Sequence, residues 1–486
     1  MPKVTNLVRA VFTMLLFPAL TFAGAAPRKL IPITTRSNEA RALYLEGRAL
    51  IDRLKATDAN ARMRAAVEKD PDFALAWLQL SNTSGTSKES FEALKHATAL
   101  VGKVSEGERM LILAVDAGTR SLIAEQERLL TTLVRKYPDD ARAHTQLGLH
   151  YFNRQDWVAT VRELSRSIDL DPRYTIPYNQ LGYAYRFQGK MVDAEKTFRR
   201  YSELLPSDPN PHDSYAELLM QLGRFDESIA EYRKALEIDP LFPSALVGIA
   251  NDQVLQGKGE EARATLKEAL RIARNDGEKR QAWYWIGQTW AHEGRWTQAI
   301  ESIEEEKKIA DAAGDLVSAS RDLNLIGNLL LGADKPDEAA RQFEAGVALV
   351  AKAGTSAEVK ETARRNHLFD LARVALQKKD LATARARSRD YAAAVFARNV
   401  PLEVRQSHEL AGMIAVQAEE WATAVNELAL ANQRNPRVLY LTGLAWQGKG
   451  DPARAREALK AAADFNQLDP VYAFVRTAAR HALSLS

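Results

Sequence analysis

Three prolines, Pro172, Pro206 and Pro240, stand 34 residues apart, and so do Gly189, Gly223 and Gly257. A period of that length, with small residues at fixed places, is the mark of stacked helix–turn–helix units. Each unit buries its apolar face only against its neighbours, so the core grows linearly. A chain of 486 residues built this way escapes the length rule that would otherwise divide it into about three globular domains. Such a chain displays an extended curved surface, and the period points to binding rather than to a reaction.

Residues 171–206 show the unit. Tyr178, Leu181, Gly182 and Tyr185 recur at helical spacing, followed by a turn at Gln188-Gly189-Lys190. Ala194, Phe198 and Tyr201 follow at i, i+4 and i+7, and Pro206 closes the unit. Gly182 and Ala194 fall where two helices touch, and a larger side chain there would force them apart at a cost of about 1–3 kcal/mol. Gly189 supplies the left-handed backbone that ends the first helix. Pro206 cannot continue the second, so the chain turns into the next unit.

These residues resemble the tetratricopeptide repeat family, whose pattern is aromatic, Leu, Gly, Tyr, then Ala, aromatic, Ala, Pro. His144, Leu147, Gly148, Tyr151 and Leu164 form the preceding copy; Tyr215, Ala216, Leu219, Tyr232 and Ala235 form the following one. The register continues through Ile249–Ala250, Ile286–Gly287, Ile326–Gly327, Ala372, Gly412 and Gly443, and extends upstream to Gly47 and Trp77. The resemblance implies an all-α, right-handed superhelical solenoid of about eleven hairpins with a capping helix near residues 471–483. It implies divergent units over 27–105, a regular array over 106–278 and longer units with the cap over 279–486. Residues 81–87 (Ser-Asn-Thr-Ser-Gly-Thr-Ser) read as a loop within a degenerate second unit. Ser105 and Glu108 have capping-box spacing. Residues 37–48, 70–77 and 104–109 are also similar to the repeat regions of bacterial signalling proteins that carry a kinase, cyclase or DNA-binding effector.

The first 26 residues read as an export signal. Lys3 and Arg9 form a basic start, residues 11–22 are mostly apolar, and Ala23-Gly24-Ala25 offers the small-x-small cleavage pattern. The alternative is an uncleaved N-terminal anchor, but the run falls short of the ~20 residues needed to span a bilayer and Pro18 interrupts it. With no cysteine, thiolate metal sites, thiol nucleophiles and disulfides are excluded. The net charge of +3 falls to about +1 without Lys3 and Arg9, which gives no electrostatic case for nucleic acid. Eight scattered histidines show no ligand spacing, so no metal or cofactor is expected. Gly257-Lys258-Gly259 lacks the P-loop pattern and sits in a turn. Glu304-Glu305-Glu306-Lys307-Lys308 reads as a solvated helix face.

The resemblance further implies that the first helix of each hairpin lines the inner groove. Its inward positions include Asn179, Tyr183 and Arg186; Asp213, Glu217 and Met220; Val247, Asn251 and Val254; Tyr284 and Gln288; and Asn324 and Asn328. Repeated amides can hydrogen-bond an extended peptide backbone, tyrosines offer rigid contact area, and Arg186 can take a carboxylate. A family variant that clamps a C-terminal carboxylate with a Lys/Asn set is not matched, because Thr145 and Leu149 stand where that set begins. The expected function is a non-catalytic exported scaffold that binds a protein or peptide partner. The alternative is a sensing or docking module that works with a separate membrane effector.

Overall fold

The computed structural model describes residues 28–398, 400–468 and 470–485; the export signal read at 1–26 lies outside them. The described residues form helices and connecting turns, and the helices follow one another in antiparallel pairs. The first six are α1 (Asn38–Asp52), α2 (Ala56–Lys69), α3 (Ala74–Thr83), α4 (Ser87–Ala99), α5 (Glu106–Thr119) and α6 (Ile123–Lys136). The regular array comprises α7 (Ala141–Asn153), α8 (Trp157–Leu170), α9 (Ile176–Phe187), α10 (Met191–Leu204), α11 (Asn210–Gln221), α12 (Phe225–Ile238), α13 (Pro243–Leu255) and α14 (Gly259–Ile272). Longer pairs follow in α15 (Asp276–His292), α16 (Trp296–Ala312), α17 (Leu316–Gly332), α18 (Pro336–Lys352), α19 (Ala357–Gln377) and α20 (Leu381–Arg398). The chain ends with α21 (Pro401–Gln417), α22 (Trp421–Leu430), α23 (Pro436–Gly448), α24 (Pro452–Ala463) and α25 (Pro470–Ser484). Among the described residues the fold is an all-α solenoid of twelve hairpins, against the roughly eleven expected from the period, and a terminal helix.

The hairpins close as their sequences require. A Cβ on Gly182 would lie 2.5 Å from the Phe198 ring, so only glycine lets α9 and α10 meet there. Gly327 stands in the same relation to Phe343. The turns between paired helices pass through the left-handed region, with glycine at Gly189 (φ 73°) and Gly257 (φ 83°) but Gln155, Lys379 and Glu419 at φ 58–60° in equivalent turns. Tyr201, Tyr232, Tyr391, Phe198 and Phe343 are fully buried between the layers.

Three expectations change. Ser81, Asn82 and Thr83 continue α3, and only 84–86 form a connection, because the Thr83 and Ser84 hydroxyls donate back to the Leu80 carbonyl and prolong the helix end. The charge run at 304–308 is not a uniformly solvated face: Glu306 is buried and bonded by Arg280 at 3.0 Å. The helix expected near 471–483 forms and packs on α24, yet it also crosses to α15.

The stack turns back on itself. Arg142 at the start of α7 makes a bidentate pair with Asp52 at the end of α1, with one contact at 2.8 Å. Arg53 donates to Asp208 at 2.8 Å. Asn275 donates to Thr57 at 3.1 Å, and the Ser87 backbone N–H donates to Asp315 at 3.0 Å. The segment before α1 is a strap: the Ile31 N–H donates to Asp140, and Thr34 donates through both N–H and hydroxyl to Glu108. Glu108 also closes the expected capping box with Ser105.

Candidate interaction surface

Side chains on the first helices of α7–α15 are largely spent within the protein. Asn179 is buried and accepts from the Ser214 hydroxyl at 2.9 Å. Tyr183 donates to Ser214 at 3.4 Å, and burial pushes its hydroxyl well above the usual range. Arg186 is buried and donates to Glu217 on the next first helix at 3.1 Å. Burial, with Glu217 one turn away, raises the Asp213 carboxyl strongly. Asn251 is buried with its carbonyl oxygen unbonded, and Gln288 is fully buried with neither amide atom bonded.

The structure shows what covers this stretch. Leu468, Tyr472 and Val475 share one apolar cluster with Met220, Val247, Val254 and Ile286. The Arg476 guanidinium donates to the Val254 and Leu255 carbonyls at 3.2 and 2.6 Å, a second donor for Val254, which also accepts from the Gly257 N–H, and a partner for the end carbonyl of Leu255. The Tyr472 ring meets His292 edge-on at 5.8 Å, and Phe474 stacks on Trp296 at 5.4 Å. Thus α25 lies across inward positions of α11, α13 and α15.

Farther along, the first helices of α15, α17, α19, α21 and α23 border a cavity of about 850 Å³ that reaches Pro470 and Phe474 of α25. Tyr284, Asn324 and Asn328 line it. Asn324 donates to Asp370 at 2.8 Å, Asn328 donates to the Asn324 side-chain carbonyl at 3.0 Å, and Arg373 donates to Asn328 at 2.5 Å. Arg437 with Asn435 holds Glu409 at 3.2 and 2.9 Å. Burial pushes Asp370 up to about 6 and Arg373 down to about 10, the latter aided by Arg437. Both shifts oppose what their 3.7 Å ion pair would produce, so desolvation outweighs it. At the cavity edge, Arg280 grips Asp322 with two bonds of 2.8 Å and touches Glu306. One Glu306 oxygen is unbonded, and burial beside Asp322 pushes that carboxyl up to about 8. The cavity thus combines fixed dipoles, three cation–carboxylate pairs and aromatic walls.

The structure brings Asn179, Tyr183, Arg186, Asp213 and Glu217 into one polar cluster, and Tyr284, Asn324 and Asn328 into the cavity; Asn251 and Gln288 lie in neither. Arg373, Glu409 and Arg437 escaped the sequence reading, although inward positions counted on α19, α21 and α23 would have reached that region. A second missed signal was a 19-residue spacing: His144–Glu163, His212–Glu231 and His408–Glu427 are all bonded, at 2.9, 2.7 and 2.8 Å. These histidines tie first helix to second. Among the described residues no group of His, Asp or Glu is arranged to hold a metal ion, and no helix is long and apolar enough to cross a membrane.

Residues 179–243 and 219–283 each match the tetratricopeptide repeat family. The chain is similar to the Superkiller complex protein 3 of Mus musculus, 25% identical over 269 residues, covering 46% of this chain and 17% of that protein. It is also similar to the peroxisomal targeting signal receptor of Kluyveromyces lactis (25% over 224 residues; 44% of this chain, 39% of the receptor). The anaphase-promoting complex subunit CDC16 of Saccharomyces cerevisiae is 26% identical over 191 residues, covering 37% of this chain and 23% of that subunit. The matches therefore span less than half of each relative. A crystal structure of the APC/C hetero-tetramer Cut9–Hcn1 aligns over 89% of this chain and 78% of that one, with a TM-score of 0.40 and 14% identity. With its 34-residue spacing, its paired helices and its family matches, this chain carries tetratricopeptide repeats over residues 179–283.

Proposed function

We propose that this chain is an exported, non-catalytic scaffold that holds an extended segment of a protein partner against Tyr284, Asn324 and Asn328. The observation that carries this reading is the polar cavity bordered by the first helices of five successive hairpins. Relatives named as a targeting-signal receptor and as proteins of multisubunit complexes support a protein partner. Lys3, Arg9, the apolar run and Ala23-Gly24-Ala25 support export.

The test uses a photo-crosslinking side chain at Asn328 and, as a control, at the exposed Gly189 turn. A defined protein adduct should form at Asn328 alone, and it should weaken about tenfold when Asn324→Ala lies beside the probe, the loss of one or two hydrogen bonds. Equal labelling from both positions, or none, would sink the reading. N-terminal sequencing of protein from the envelope fraction should give a chain starting near residue 27.

A further inference from the structure

Phe152, Trp157 and Phe187 gather where α7, α8 and α9 meet. Their ring centroids form a triangle with sides of 5.5, 5.7 and 5.5 Å. None of the three is buried core; all keep partial exposure. Tyr183 adds a fourth ring 6.2 Å from Phe187. Phe152 stands four residues after Gly148, as Arg186 does after Gly182, so with Tyr183 it holds an inward position and this aromatic patch belongs to the concave side.

A cation sits on it. Arg434, in the turn between α22 and α23, places its guanidinium carbon 3.4 Å from the Phe187 centroid and 5.3 Å from that of Trp157. Among the described residues no carboxylate pairs with Arg434, and its bonded polar contact is its backbone N–H to Asn432. Arg186 approaches Phe187 as well, at 5.0 Å, so two cations share one ring. Burial, with Arg186 adding repulsion, pushes the Arg434 guanidinium down to about 10. The attraction that keeps Arg434 in place is therefore the aromatic faces. With its carbon 3.4 Å from the ring centroid, a planar guanidinium reaches a face contact that a hydrated ammonium does not match. Glu217, partly exposed on α11 and bonded to Arg186, supplies a nearby acceptor for a second cationic contact. A cation on a short turn with no ion pair is the most replaceable part of this assembly.

We propose that Phe152, Trp157 and Phe187 form a guanidinium-binding subsite on the concave surface, occupied here by Arg434 as an internal stand-in for an arginine side chain of a protein partner. This deepens the scaffold reading and rests on it for the identity of the concave side as the partner-facing one. It adds a stated chemistry: the partner segment carries an arginine that displaces Arg434.

The experiment compares the full chain with Arg434→Gln by calorimetry, using the peptide acetyl-Gly-Gly-Arg-Gly-Gly-amide and its citrulline counterpart, which keeps the shape and loses the charge. Arg434→Gln should bind the arginine peptide about tenfold more tightly than the unmodified chain, the size a desolvated cation–π contact supports. The citrulline peptide should bind about tenfold more weakly, and adding Phe187→Leu should abolish the gain. Equal affinity of Arg434→Gln and the unmodified chain, equal binding of citrulline, or indifference to Phe187→Leu would each overturn the proposal. Arg434→Lys is the second variant, keeping the charge and losing the planar stack; it should bind with intermediate affinity. If both variants lose their cooperative melt, Arg434 is a rivet of the fold and the proposal fails. Because the probe is a model peptide, failure here leaves the crosslinking result at Asn328 standing, and failure there leaves this binding measurement intact.

Discussion

At the scale of single residues, the hairpins depend on small side chains facing large ones. Gly182 faces Phe198 and Gly327 faces Phe343, sixteen residues on in each case, with 2.5 Å left for a Cβ. Gly182→Leu should therefore cost about 1–3 kcal/mol, read as a lower urea midpoint with an unchanged slope. A second residue-scale effect lies in α13. Asp252 is fully buried, neither of its oxygens is bonded, and the neighbouring Ser228 hydroxyl is donated to the Ala216 carbonyl instead. Burial pushes the carboxyl up to about 7, whereas an unfolded aspartate titrates near ~4. The folded state then binds the proton more tightly, so this group's contribution is fully present below the unfolded value and is lost as pH rises through the folded one. His150 and His367, both pushed below the usual histidine range by burial, act in the opposite direction; they cancel when Asp252→Asn is compared with the unmodified chain. Asp252→Asn should gain about 1–3 kcal/mol in relative stability between pH 5 and pH 8, read from denaturant melts at both.

At the scale of elements, α25 has two roles. It closes the last apolar face after α24, as the end of any stacked array requires, and it crosses to α13 and α15. Arg476 makes the second role specific by donating to the two carbonyls that end α13. Arg476→Ala leaves those carbonyls without a charged donor and should cost about 1.5–3 kcal/mol. Hydrogen exchange should quicken at the start of α25 and at residues 254–258, and stay unchanged in α19–α22. Uniform quickening would mean that α25 merely caps the stack.

At the scale of the whole molecule, contacts between distant hairpins convert a linear array into a closed one. A simple array unfolds in units coupled only to their neighbours. Here Asp52 and Arg142 join the first hairpin to the fourth, and Asn275 reaches back to Thr57. A double-mutant cycle with Asp52→Ala and Arg142→Ala should give a coupling of about 0.5–3 kcal/mol and broaden the unfolding transition when the pair is lost. Additive effects would show that the first hairpin only leans on α7.

The amino-acid pattern by itself determined the regular hairpins and their glycine turns, because each repeated glycine, alanine or aromatic acts within one unit or on the next; the degenerate unit around residues 81–87 and the twelfth hairpin lay outside that pattern. Gly182 against Phe198 and the left-handed Gly189 are short-range steric demands, legible wherever the period persists. Tyr284, Asn324 and Asn328, counted as inward from the repeat, border the cavity. Only the tertiary structure decided which inward side chains stay available. Asn179 and Arg186 are consumed by neighbours, α25 lies over Val254, and Arg434 lies on Phe187. These contacts depend on small rotations added hairpin after hairpin, and no local spacing records the accumulated angle at which distant turns of the stack meet.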